Sequence, residues 1–426
     1  MSERYAKSED FLKRAEKVIP LGCQTFSKSR TQYPVGVSPL YAKRAKGAWI
    51  EDVDGNRYLD LVNSLGAITL GYGDTDVNEA VIAQLADGAV LSLPHPLETE
   101  VAEMLVEMIP GAEKIRFGKN GSDVTSAAVR LARACTGRDH VLVCGYHGWQ
   151  DWYIGTTARN LGIPEAVRNL SHVFSYNSID SLAALLKQYQ DNVAAVILEP
   201  MSTTYPQKGF LEEVKALTHK AGALLIFDEV VTGFRFAKGG CQELFGVEAD
   251  LIACGKGMAN GHAVSALAGK AKHMNRIEDM FFSGTFLGDP LSLSAAKATL
   301  KKMQTQDIVG KIGETGTRIM SLVRKLLDSK GLGDRISIQG HPAVSVLAFS
   351  DFELKTFFMQ EMFSRNVLSI GSHILSAAMG PDDLALLAKV YEEVFSEIAS
   401  CVRNGDLGSR LKVQPLKPLF TLRKDR

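Results

Sequence analysis

From about residue 75 the apolar positions fall into two alternating rhythms. Short continuous runs, such as Val141-Leu142-Val143, Ala194-Ala195-Val196-Ile197-Leu198, Leu224-Leu225-Ile226-Phe227 and Leu251-Ile252-Ala253, alternate with stretches repeating every three to four residues. The runs predict strands at 113–117, 140–144, 193–198, 223–227, 251–254 and 263–268. The longer repeats predict helices at 76–88, 97–109, 122–136, 179–189, 211–221 and 289–304. Continuous runs, as opposed to alternating ones, belong to a sheet covered on both faces. Helix–strand alternation on this scale predicts an α/β domain with a mostly parallel sheet between helices. Ligands of such a sheet collect at the carboxyl ends of its strands.

The flanks read differently. Residues 5–18 predict an amphipathic helix with Phe11, Leu12, Ala15 and Val18 or Ile19 on one face. A polar segment with Gly and Pro follows to Pro39, and Trp49 to Asp60 predicts a hairpin turning at Asp54-Gly55. Beyond 305 the composition shifts: a long helix at 305–329, a strand around 343–349, and helices near 353–365 and 381–402 predict a smaller α+β domain. The expected division is 1–60 as an N-terminal segment joining the small domain, 61–305 as the large domain and 306–426 as the small one.

Composition removes alternatives. With 48 basic and 48 acidic residues the formal charge is zero, so neither nucleic acid nor an acidic surface is expected as a partner. The basic segment Leu411 to Arg426 reads as a solvated tail. No apolar stretch is long enough for a membrane span, and the N-terminus lacks the apolar core of a signal peptide. Six scattered cysteines without a CxxC pair suit reduced thiols of a cytoplasmic protein, and nine histidines without ligand spacing predict no metal.

The candidate chemistry sits where strands are predicted to end. Asp228-Glu229 closes one run, and Gly255-Lys256-Gly257 follows another. A lysine amine there could take an aldehyde cofactor, pyridoxal 5′-phosphate, as a Schiff base, with Asp228 keeping the ring nitrogen protonated. Alone, such a loop lysine is more often a solvated surface charge. Gly121-Ser122 opens a helix and suits a phosphate, or an ordinary N-cap. Tyr146, with His147 and Trp149 beside it, could stack on a planar ring or fill a rim. Glu199 could orient a group at the ring edge or cap a loop; Val230 could cover the second ring face. Thr285, in Gly284-Thr285, could reach a phosphate from a flexible loop.

The order of these pieces resembles the class III aminotransferases of the fold-type I pyridoxal phosphate enzymes, in the branch of glutamate-1-semialdehyde aminomutase. The matching segments are Ala48 to Arg57, Phe117 to Ala134, Tyr146-His147-Gly148, Glu199-Pro200, Asp228 to Arg235, Gly255-Lys256-Gly257 and Gly284-Thr285. The resemblance implies a large domain with a seven-stranded sheet. It also implies that Lys256 and Asp228 are catalytic, and that Gly121, Ser122, Tyr146, His147, Glu199, Val230 and Thr285 join them in binding the cofactor. In this family the Gly–Thr pair serves the neighbouring subunit's cofactor, so a homodimer is implied. Two departures stand out. The phosphate turn has Lys119-Asn120-Gly121-Ser122 where the family often has Asn-Ser-Gly-Thr. Lys28 occupies the place of a carboxylate-binding arginine, with Arg30 close by, and a lysine does not reproduce a bidentate arginine contact. Together with Trp149 and His373 these form the expected substrate set. The expected reaction carries an amino group, from L-glutamate, to an aldehyde or ketone of a small polar or sugar-like acceptor; a 2,1-aminomutase is the alternative.

Overall fold

The computed structural model of the chain describes residues 3–418. The chain divides into two compact units. One runs to Gly66 and takes up Leu70–Asp74 and the chain from Gly310 onward; the other comprises Ala67–Thr69 and Thr75–Val309.

The larger unit is built on seven strands: β1 (Lys114–Gly118), β2 (His140–Cys144), β3 (Ser171–Val173), β4 (Val193–Leu198), β5 (Leu224–Asp228), β6 (Leu251–Cys254) and β7 (Ser265–Gly269). Their order across the sheet is β1-β7-β6-β5-β4-β2-β3. All pairs are parallel except those of β7, which is antiparallel to both β1 and β6. Every residue of β4 and β5 is buried, as continuous apolar runs require. The helix Gly121–Thr136 packs Val124, Ala128 and Leu131 into a core with Val141, Ile197, Ile226 and Leu267. Its run of small Ala127, Ala128 and Ala132 lets it lie close on the sheet. Expected helix and strand boundaries in this unit hold to within about two residues. The edge strand β3 was not expected, because Ser171-His172-Val173 is too short and polar to make an apolar run.

The other unit holds two small sheets. The expected hairpin, Trp49–Asp52 with Arg57–Asp60, is joined by Ala42–Lys46 on one side and by Val367–Leu368 on the other. Ile336–His341, Val344–Phe349 and Ser372–Ile374 form an antiparallel three-stranded sheet. Phe358, Tyr391 and Phe395 stack behind it.

Three expectations need correction. The N-terminal helix is Ala6–Ala15 and buries Ser8, Glu9 and Leu12, while Phe11 and Val18 are exposed. The cause is polar docking: the Asp54 carboxylate at the hairpin turn accepts the Lys7 and Ser8 N–H groups at 2.7 and 3.0 Å. The long helix is Ile308–Lys330, separated from Pro290–Thr305 by an extended Gln306. The start of the basic C-terminal segment is docked: Lys412 N–H donates to Gln360 and Leu416 N–H to Thr356, both at 2.9 Å. Arg423, Lys424 and Arg426 lie outside the described residues. No helix among the described residues is long and apolar enough to cross a membrane.

Candidate active site

The register of the larger sheet assembles the candidate residues. β5 and β6 are parallel neighbours with Asp228 opposite Ala253, so Asp228 and the Gly255-Lys256 turn leave the same edge of the sheet. Glu199 leaves the end of β4 and Tyr146 follows the end of β2, on that edge too. Each is the first polar or aromatic group after a run that burial forces into the sheet interior.

The helix Gly121–Thr136 begins beside them. Asn120 caps it, accepting the Asp123 N–H at 3.2 Å while Asp123 accepts the Asn120 N–H at 3.0 Å. A methyl group on Gly121 would come within 2.9 Å of Val230, so the backbone turn and Val230 are packed to contact. Ser122 Oγ accepts the Trp149 N–H at 3.2 Å, and a methyl on Gly148, whose φ is +103°, would collide with that hydroxyl. Glycine is therefore required at 148 both by conformation and by space.

Asp228 is nearly buried and held on both oxygens. Oδ1 accepts the Val230 N–H at 3.1 Å, and Oδ2 lies 2.8 Å from His147 Nδ1. His147 Nε2 lies 3.1 Å from the carbonyl oxygen of Cys144, which can only accept. His147 therefore bridges the Asp228 carboxyl group and the strand-end carbonyl of Cys144. His147 is fully buried, and its contact with Asp228 ties it to the group of residues at this sheet edge. The Tyr146 residue is 55% exposed, and its N–H donates to Glu199 Oε2 at 3.0 Å. Burial, and then the charge of Asp228, raise the Glu199 pKa.

Lys256 has φ +45°, in the left-handed region that a lysine adopts only under constraint. Burial pushes its amine below the ordinary lysine range; Asp228 and Glu199 oppose that shift and Arg235 adds to it. Arg235 is itself fully buried, donating to the Ile68 carbonyl at 2.9 Å and the Thr69 hydroxyl at 3.1 Å. Asn260, four residues after Lys256, accepts the Thr69 N–H at 3.0 Å.

The remaining expected residues are scattered. Trp149 has an exposed ring. Thr285 lies on an exposed loop beside exposed Phe281 and Phe286. In the other unit, Lys28 lines a cavity of about 300 Å³ with Tyr33, Tyr41, Ser64, Tyr72 and Leu368, its ammonium 3.3 Å from Ser64 Oγ. Asn63, Ser64 and Leu65 are three successive non-glycine residues with positive φ. Arg30 does not join Lys28, because it pairs with Glu16 at 2.6 Å. His373 is fully buried between Ser345 Oγ (2.9 Å) and Tyr391 OH (2.5 Å), with burial lowering its pKa to about 4; it belongs to the core of the small sheet.

Sequence reasoning missed Tyr153, Ser64 and the role of Arg235. Tyr153 OH donates to the Gly145 carbonyl at 2.7 Å, and its ring meets Tyr146 edge-on at 5.5 Å. The only signal was its position within an aromatic cluster after β2.

The residues fit pyridoxal phosphate. A capped 16-residue helix offers free N–H groups and a positive end to a phosphate. Tyr146 and Val230 suit the two faces of a flat ring, Asp228 its nitrogen, and the Lys256 amine its aldehyde. The pattern of the family described as aminotransferase class-III matches residues 32–344. Glutamate-1-semialdehyde 2,1-aminomutase of Flavobacterium psychrophilum is 38% identical over 355 residues, covering 79% of this chain and 82% of that protein. 3-Aminobutyryl-CoA aminotransferase of Cloacimonas acidaminovorans is 31% identical over 411 residues, covering 93% of this chain and 98% of its own. The FumI protein of Sphingopyxis sp. MTA144, solved in a PLP-bound form, superposes with a TM-score of 0.88 at 29% identity, covering 96% and 99% of the two chains.

Proposed function

The chain belongs to the class-III aminotransferases, pyridoxal-phosphate enzymes of fold type I, and from that premise we propose a specific reaction: transfer of an amino group from L-glutamate to the aldehyde or ketone of a small acceptor that carries an anionic group. The observation that carries the reading is the pairing of Lys256 and Asp228 on adjacent strand ends beside a capped helix start. When bound, the cofactor supplies an aldehyde that takes up amines and a ring that withdraws electrons from the carbon bearing them. Lys256 Nζ moves the proton at that carbon. Its lowered pKa suits the task, because more of the amine is unprotonated at neutral pH. Asp228, held by His147 and the Val230 N–H, keeps a fixed anion at the ring nitrogen. Gly121 and Ser122 hold the phosphate, and Tyr146 and Val230 confine the ring. Glu199 orients groups at its edge.

Lys28 supplies the contact to the acceptor's anion. The lining beside it combines Tyr33, Tyr41, Tyr72, Val62 and Leu368 with Asp52 and Asp60, and its aliphatic part supports an acceptor with an aliphatic stretch. The relative named for 3-aminobutyryl-CoA, matched along nearly its whole length, supports an acyl acceptor of this kind. A homodimer is part of the reading: Ile82, Leu85, Leu91, Leu93, Phe281 and Phe286 are exposed on the larger unit, an apolar set suited to burial against a second copy. The second reading, a 2,1-aminomutase, is favoured by the 38% identity to the Flavobacterium protein.

The test is the absorption spectrum of the purified protein with pyridoxal phosphate. A visible Schiff-base band lost in Lys256→Ala is expected; no band in the wild-type protein overturns the reading. L-Glutamate should discharge the band with release of 2-oxoglutarate. Turnover of glutamate 1-semialdehyde without any second substrate would instead establish the aminomutase.

A further inference from the structure

Lys119 is the charge by which this chain's phosphate turn departs from the related pattern, and it does not stand as a spare cation beside the phosphate. Its ammonium is ion-paired with Asp289 and lies 3.2 Å from Ser292 Oγ. Only 27% of the lysine side chain and 10% of the aspartate side chain are exposed, so the pair is largely withdrawn from water. Asp289 uses its other oxygen, Oδ1, to accept the Ser292 N–H at 2.9 Å and so cap the helix Pro290–Thr305. On the opposite side, the Lys119 N–H donates to Asp123 Oδ2 at 2.8 Å, within the capping arrangement of the helix Gly121–Thr136. One ion pair therefore staples the starts of two helices. The first start is the phosphate turn; the second follows directly on the Gly284-Thr285 loop, and its helix packs on the turn Lys256–Ala259. His262, after that turn, lies near enough to feel both charges. The two helix starts are both positive ends, and Asp289 is the anion between them.

We propose that Lys119 and Asp289 are positioning residues that lock the phosphate turn to the Thr285 loop, so that cofactor retention and the contact with a second subunit depend on the same ion pair. This rests on the reading above, in which Gly121-Ser122 hold the phosphate and Thr285 faces another copy. It makes a prediction that a simple charge effect does not. If Lys119 only added positive potential, Lys119→Met would loosen the phosphate and Asp289→Asn would tighten it. If the pair fixes position, both substitutions loosen it. Asparagine keeps the N-cap, so Asp289→Asn tests the charge and spares the helix start.

The experiment measures the rate of cofactor release from the holoenzyme, by loss of the visible band into a trapping reagent, for K119M, D289N and the double variant. Dimer dissociation constants are measured in parallel by sedimentation. Each single variant is expected to release cofactor about tenfold faster and to weaken the dimer, and the double variant to be no worse than either single, as coupled residues behave. The double variant leaves no uncompensated charge, so it carries the test if a single variant fails to fold. Tighter cofactor binding in D289N overturns the proposal. So do single effects that simply add, or a lowered melting temperature with unchanged cofactor release and dimer constants. A wild-type protein that takes up no cofactor overturns the functional reading instead, and the dimer measurements then still decide the pair's role at the subunit contact.

Discussion

The larger unit and the segment around Lys28 in the other unit solve different problems by different means. In the larger unit the chemical groups leave buried strands or open a capped helix, and Asp228, Tyr146 and Ser122 are held by hydrogen bonds of 2.8 to 3.2 Å: Asp228 by Val230 and His147, Tyr146 by Glu199, Ser122 by Trp149. Around Lys28 the chain runs through short 3-10 turns and three successive left-handed residues, and the ammonium leans on one hydroxyl 36 positions away. The rigid arrangement suits groups whose chemistry is the same in every turnover. The strained, loop-built one suits a surface that has to match one acceptor. On the proposed reading, reaction type and substrate choice are written in separate parts of this chain, and each should change without the other.

The largest effect expected from that separation is in the rigid part. Asp228→Asn removes the anion proposed to face the ring nitrogen and gives His147 a neutral amide in place of a carboxyl group. Transamination should fall by about a hundredfold or more, with the cofactor still bound, as judged by its absorption band. A kcat within a few-fold of wild type would show that Asp228 is not the group that tunes the ring.

Protonation separates the two units next, with opposite signs. His373 has an ordinary value of 6.5 and is held near 4 when folded, because burial excludes the charged form. The unfolded chain therefore binds a proton that the folded one refuses. Stability of the small-sheet core falls as pH drops from 6.5 toward 4, by about 3 kcal/mol at the limit. Glu229, in the larger unit, is raised from 4.5 to about 7, chiefly by burial. Its folded form keeps a proton that the unfolded form has lost, so stability falls as pH rises from 4.5 to 7. Over the shared range of about pH 4 to 7, the stability that wild type has relative to His373→Gln should rise with pH, and that relative to Glu229→Gln should fall. Slopes of the same sign for both variants would refute the division.

These examples also mark what was legible in the sequence. The seven-stranded sheet was nearly all readable, because its central strands β4, β5 and β6 are buried on both faces and so are written as apolar runs. The places of Lys256, Asp228 and Tyr146 at one edge of the sheet were readable because each lies at or just past the end of such a run. Arg30 and His373 were misplaced for a physical reason: nothing local distinguishes an arginine paired with Glu16 14 residues upstream, or a histidine sealed against Tyr391, from one lining a cleft. Lys119 was visible as an oddity, but its partner, 170 positions away, was not.

Lys28 tests the loop-built side of the comparison. Lys28→Met should lower kcat/KM for an anionic acceptor by about ten- to a hundredfold, the worth of one charge-assisted hydrogen bond. The absorption spectrum and the half-reaction with L-glutamate should be close to unchanged if the donor does not use this contact. Lys28→Arg should restore part of the loss for the same acceptor. Equal losses in both half-reactions would mean that Lys28 supports the cofactor site, and the separation of chemistry from choice would fail.

The smallest expected effect probes whether the rigid part owes its rigidity to residues that never touch the reactants. Tyr153 donates to the Gly145 carbonyl and braces the Tyr146 ring edge-on, and Gly145 is so close to Glu199 that a methyl there would sit 2.6 Å from its carboxylate. Removing one hydroxyl by Tyr153→Phe costs about 1 kcal/mol of hydrogen bonding while keeping the ring contact. Cofactor affinity should weaken only a few-fold, whereas Tyr153→Ala, which also removes the brace, should weaken it further and shift the cofactor's absorption band. If Tyr153→Phe alone shifts the band as far as Tyr153→Ala, the hydroxyl and not the ring sets the geometry of Tyr146. The turn at Gly145 would then be the point on which the stacking face depends.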